Sequence, residues 1–156
     1  MLGVFAAYQE VGMLKYFASV LFMVVVIGMP SRANENADVL AVTELAERYI
    51  KATYEADIPA MREIFHENAV MNGHLFGNEQ LGTPEDFFKS LSANPSMKSA
   101  GAPFKGWVED VRVTGNVASL TVKETGFFGK ASFTDYMHLI KLKSRWWIIS
   151  KTFTSE

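Results

Sequence analysis

The chain contains no cysteine, which excludes disulfides, thiolate metal sites and a cysteine nucleophile. It has no strong charge of either sign: 15 basic against 17 acidic residues give a net charge of −2, with no basic block. Binding to nucleic acid through phosphate neutralisation is therefore not expected. Its three histidines show neither His-x-x-x-His nor His-Glu-x-x-His spacing, so no metal site is expected. It also lacks a phosphate-cradling glycine loop, a nucleophile elbow and a dinucleotide fingerprint, so no cofactor is expected. No internal repeat or linker divides it.

What is present begins with an apolar run, Tyr16 to Met29, preceded by Lys15 and broken by Pro30. Ser31-Arg32-Ala33 places small residues at the −3 and −1 positions of a cleavage site. The run is short against the about 20 apolar residues of a membrane-spanning helix. We expect residues 1–33 to be a signal peptide, with Met13 as the true start, followed by one domain over 34–156. An uncleaved anchor or a buried helix are the competing readings. Removing Lys15, Arg32 and Glu10 changes the balance to 13 basic and 16 acidic residues, net −3, for a periplasmic or secreted protein with no stable membrane span.

Ala37 to Tyr54 has helical periodicity. Val42, Leu45, Tyr49, Ala52 and Thr53 recur on one face, while Glu44, Glu47, Arg48, Lys51 and Glu55 share the other. Asn36 or Asp38 is the expected cap. Asp57 caps a short second helix burying Met61, Ile64 and Phe65, and Thr83-Pro84-Glu85-Asp86 starts a third that buries Phe87, Phe88 and Leu91. Ala69 to Leu75 is a candidate short strand.

From Phe104 the apolar period becomes two, predicting strands over about 104–114, 117–125, 130–142 and 145–154. Helices followed by an antiparallel meander make an α+β fold. Turn lengths then predict the faces. A two-residue loop at Gly115-Asn116 groups Trp107, Glu109, Val111 and Val113 with Ala118, Leu120, Val122 and Glu124. A four-residue loop at Gly126-Phe127-Phe128-Gly129 pairs Glu124 with Ala131 and adds Phe133, Asp135, Met137 and Leu139. Pairing Lys141 with Trp146 adds Ile148, Ser150 and Thr152. The opposite face carries Tyr136, His138, Ile140, Trp147, Ile149, Lys151 and Phe153, too apolar for plain exposure, and reads as a homodimer interface. A one-residue bulge would exchange the faces of all that follows it.

The ordered set Tyr54-Glu55-Ala56-Asp57, Met61 to Glu67, Gly115-Asn116-Val117-Ala118, Phe133-Thr134-Asp135-Tyr136 and Trp146 to Phe153 resembles the putative lumazine-binding group of the nuclear-transport-factor-2-like (SnoaL-like) superfamily, over residues 37–154. The resemblance implies a cone-shaped barrel, in which a strongly bent antiparallel sheet wraps three helices around a pocket and the outer sheet face commonly dimerises. Its relatives include isomerases, dehydratases, cyclases and non-enzymatic domains, so the fold does not by itself fix the function.

Asp135 is an acid on an apolar face, where a carboxylate must be paired, protonated or used. It is the candidate catalytic base; the competing reading is a carboxylate bonded to Thr152, Ser150 or a helix tyrosine, locking the sheet to the helices. Tyr49, Trp107, Glu109, Glu124, Met137, Trp146 and Ser150 are the candidate pocket residues, although Glu109 and Glu124 could simply face water at the open end of the barrel. Phe127 and Phe128 could form a lid. Alternation sends Asp135 and His138 to opposite faces, so they form no dyad. Three functions remain open. One is a module binding a small apolar or aromatic ligand. Another is an isomerase, dehydratase or cyclase with Asp135 as base and a tyrosine or protonated acid as electrophile. The last is a dimerisation or interaction domain.

Overall fold

A computed structural model describes residues 32–156. The expected leader and the start at Met13 lie outside the described residues, apart from Arg32 and Ala33, with which the first helix opens. Helices α1 (Arg32–Glu55), α2 (Ile58–Ile64) and α3 (Pro84–Ser92) accompany strands β1 (Phe65–Leu75), β2 (Asn78–Gly82), β3 (Lys105–Thr114), β4 (Val117–Phe127), β5 (Ala131–Leu142) and β6 (Arg145–Ser155). The strands form one six-stranded sheet in the order β2-β1-β6-β5-β4-β3, so it has two free edges and curls without closing.

Local chemistry explains the helices. Asp57 accepts the Ala60 N–H at the start of α2, with Pro59 in the first turn, and Thr83 accepts the Glu85 N–H ahead of Pro84 at the start of α3. In α1, Val42, Leu45, Ala46, Tyr49, Ala52 and Thr53 are buried against the sheet. Asp38 is not the cap of α1. The helix begins earlier, and the Asp38 carboxylate accepts from Lys141 Nζ (2.5 Å) and Trp146 Nε1 (3.1 Å), fastening α1 to the β5–β6 hairpin. That bond to Lys141 holds the Asp38 carboxyl below its ordinary range. Where α1 crosses β3 the approach is close: a Cβ on Gly106 would stand 2.5 Å from Ile50 Cγ2.

The sheet is mixed rather than wholly antiparallel, because β1 pairs in parallel with β6. The candidate strand at 69–75 is the later part of β1, which begins at Phe65 and turns at Phe76-Gly77 into β2. The expected short strand thus becomes half of an antiparallel hairpin flanking the cone.

Two bulges revise the predicted faces. In β3 the register shifts between Glu109 and Arg112, where Asp110 takes a positive φ of 54°. Val113 still opposes Ala118, but beyond the bulge Val108 opposes Val122 and Gly106 opposes Glu124. Trp107 and Glu109 therefore lie on the outer face, where both are exposed and the indole N–H donates to Glu109 Oε1 at 2.7 Å. In β6, Leu139 opposes Ile148 but His138 opposes Ser150, leaving Ile149 as the extra residue. From there Lys151 opposes Met137 and Phe153 opposes Asp135, so Lys151 and Phe153 point inward while Ser150 and Thr152 face out. Glu124 pairs with Phe133 rather than Ala131, a two-residue change that keeps every β5 side chain on its predicted face.

Candidate functional site

Inside the curl, α1, β4, β5 and β6 bring four polar side chains into an otherwise apolar layer. Tyr49, on the buried stripe of α1, donates its hydroxyl to Asp135 Oδ2 at 2.9 Å. Lys151 Nζ donates to the Tyr49 oxygen at 2.5 Å and lies 2.6 Å from Asp135 Oδ2. Asp135 and Tyr49 are fully buried and Lys151 is nearly so, which makes this an ion pair shielded from solvent. Such a pair is costly to bury unless further hydrogen bonds support it, and Tyr49 supplies one to each partner, leaving Asp135 Oδ1 without one. The Lys151 ammonium also lies 4.9 Å from the Phe87 ring centroid and 5.0 Å from that of Tyr49.

Glu124 is the fourth member. It is 1% exposed, and its Oε1 has no hydrogen-bond partner. Burial, reinforced by the negative charge of Asp135 and partly opposed by Lys151, pushes its carboxyl up to about 8, so it carries its proton at neutral pH. Burial likewise raises the Tyr49 phenol well above its ordinary value, with Asp135 and Glu124 adding to the effect. Tyr49 therefore acts here as a neutral hydroxyl.

Glu124 and Lys151 are also the polar end of a cavity of about 460 Å³ between the sheet, α3 and the β1–β2 hairpin. Its walls include Met71, Leu75, Phe87, Phe127, Phe133 and Phe153. Several of these belong to a satellite cluster around Ala131, Phe133 and Phe153, separate from the main core. Phe76, Leu81 and Phe128 also line the cavity and are 66%, 82% and 38% exposed, marking its mouth. Asp135 and Tyr49 are not lining residues; they stand behind Lys151.

The structure thus brings together Tyr49, Glu124 and Asp135 of the sequence candidates. It moves Lys151 and Phe153 from the expected outer surface into the interior, and Trp107 and Glu109 in the opposite direction. Met137 and Trp146 are buried in the main core, away from the cavity lining, and Ser150 is half-buried on the outer face. Of the expected interface, Tyr136 and His138 are exposed, while Trp147 and Ile149 are half-buried. Arg145 stacks on Trp147 at 4.1 Å, and His66 meets the same ring edge-on. Sequence reasoning missed Lys151, the aromatic wall from Phe87 and Phe153, and the β1–β2 hairpin. The run Trp146-Trp147-Ile148-Ile149 is apolar on both faces, so no break in polarity marks the bulge that turns Lys151 inward.

Residues 37–154 match the family described as putative lumazine-binding, and the chain belongs to that family. Among characterised proteins it is similar to one named Aldolase FrzH from Cladobotryum sp., 24% identical over 115 residues, 74% of this chain and 89% of that protein. Solved structures share the fold. An NTF2-like protein of unknown function from Shewanella baltica has a TM-score of 0.68 at 22% identity, covering 78% of this chain and 95% of its own. Another from Silicibacter pomeroyi has a TM-score of 0.68 at 24% identity, covering 78% and 98%. At these identities the likeness shows an NTF2-like α+β fold, which agrees with the six strands and three helices seen here.

Proposed function

We propose that the protein binds a small, largely apolar or aromatic molecule in the cone. The observation that carries this reading is the cavity of about 460 Å³, with aromatic walls and two buried polar groups at one end. Ligand sites commonly occupy roughly 300–1,000 Å³ and combine apolar walls with a few placed polar groups. The family's description makes lumazine a natural first probe. A ligand at 100 times its Kd stabilises the folded state by about 2.7 kcal/mol, enough to raise Tm by several degrees. A thermal-shift screen of lumazine and other aromatic compounds tests this. If no member raises Tm and the cavity is filled by side chains in a crystal structure, the reading fails.

The second reading is an enzyme, favoured by the likeness to a protein named an aldolase and by the buried acid. Asp135 would be the base of an isomerase, dehydratase or cyclase. Its Oδ2 already holds Tyr49 and Lys151, whereas its Oδ1 is unpartnered, so only Oδ1 is available to accept a proton. Unchanged turnover in Asp135→Asn would end that assignment. Export and homodimerisation complete the proposal. The apolar run at 16–29 supports export, and the mass of the mature N-terminus checks it.

A further inference from the structure

Resting on the ligand-binding reading, we infer that the cone selects uncharged ring compounds bearing a carbonyl oxygen, which is held between the Glu124 carboxyl and Lys151 Nζ. An ammonium has three donors, and Lys151 directs two at Tyr49 and Asp135, leaving the third for an occupant of the cavity it lines. Glu124 is 1% exposed, lines the same cavity and has an oxygen without a partner. A buried polar atom left in that state costs free energy that a ligand can recover. The charges then decide the class of ligand. Lys151 and Asp135 neutralise each other and Glu124 holds a proton, so the site has no excess charge. A carboxylate ligand would add an uncompensated buried anion, and an ammonium would place a second buried cation beside Lys151. A neutral carbonyl accepts from both groups and puts its ring against Phe87, Phe133 and Phe153.

Four titratable groups meet at this end of the cone: Glu124 on β4, Asp135 on β5, Lys151 on β6 and Tyr49 on α1. Asp86 on α3 and Lys130 in the β4–β5 turn line the same cavity nearer its mouth. Ionisation of Glu124 removes a donor and places a negative charge beside the carbonyl oxygen.

Matched probes on one skeleton test the inference: 1-tetralone carries the carbonyl, tetralin lacks it, and 1-aminotetralin replaces it with a cation. Calorimetry at about pH 7 is expected to show tetralone binding about tenfold more tightly than tetralin, the gain of one good hydrogen bond, with the amine weakest. The bound carbonyl stretch should shift to lower frequency. Both the preference and the shift should fade as pH rises past about 8, and both should persist without pH dependence in Glu124→Gln, whose amide still donates. Glu124→Leu, which orphans no partner, should bind tetralin as before and lose most of the preference. Equal binding of tetralone and tetralin, or a preference unchanged in Glu124→Leu, overturns the inference while leaving the ligand-binding reading intact. If none of the three probes binds, the inference falls, and the ligand-binding reading falls with it only when the thermal-shift screen is also negative and the cavity is filled.

Discussion

Glu124 connects the residue scale to a measurable pH dependence. Its carboxyl lies at about 8 in the folded chain against an ordinary value of 4.5, so the folded state holds the proton more tightly than the unfolded one. The stability this confers is complete below about pH 4.5 and is lost as pH rises toward about 8, at up to about 1.4 kcal/mol per pH unit. Urea melts across that window should show wild type losing ground steadily to Glu124→Gln, whose amide does not titrate. Parallel curves would mean that Glu124 is ionised or solvated in the folded protein. Tyr49→Phe tests the neighbouring group. Removing the hydroxyl leaves the buried Asp135–Lys151 pair without its shared partner, so a loss of about 1–3 kcal/mol is expected at pH 7. An equally stable Phe variant would show that the hydroxyl contributes nothing to holding the pair.

At the scale of elements, the bulges do most to determine the site. Ile149 is the extra residue that turns Lys151 and Phe153 inward, and Asp110 is the residue that turns Trp107 outward. Asp110 sits at φ 54°, a region that asparagine, aspartate and glycine tolerate and β-branched residues resist. Asp110→Gly is therefore expected to be neutral or slightly stabilising, and Asp110→Val to cost about 1–2 kcal/mol in chemical denaturation. If Val were tolerated as well as Gly, the bulge would lie elsewhere. Gly73 is the matching constraint on β1, where a Cβ would stand 2.1 Å from the Phe153 carbonyl oxygen and 2.7 Å from its ring. Gly73→Ala must displace Phe153 or loosen the parallel β1–β6 pairing, at a cost of about 1–3 kcal/mol. Because Phe153 is a cavity wall, the same change should also weaken any ligand held there.

At the scale of the molecule, the outer face of the sheet carries Val117, Tyr136 and Leu142 at 54%, 55% and 39% exposure, with Ile140 and Trp147 between them half-buried. A patch of this kind supports the proposal that two copies associate through this face. Sedimentation at micromolar concentration is expected to show a dimer, and Tyr136→Asp a monomer with unchanged near-ultraviolet circular dichroism. A wild-type monomer at that concentration would remove the proposal. Glu124 is buried away from this surface, so monomeric Tyr136→Asp should keep the pH-dependent stability of wild type.

The sequence by itself determined the three helices and the four strands that follow them, because each of these rests on short-range chemistry. The buried stripe of α1, the Asp57 and Thr83 caps and the Gly115-Asn116 hairpin all appear in the structure where local rules place them. It also placed Asp135 and Glu124 on the inner face of the sheet, since parity survives any even change of register. The tertiary structure alone decided which partners those acids meet. A single extra residue in β6, unmarked by any change in hydropathy, exchanged Ser150 for Lys151 at the heart of the site. The parallel pairing of β1 with β6 joins residues about 80 positions apart, such as Phe65 with Ile148, and closure of that contact depends on the whole chain. That closure brings the β1–β2 hairpin over the aromatic wall. It turns an apolar face carrying two acids into a cavity with a buried cation at its end.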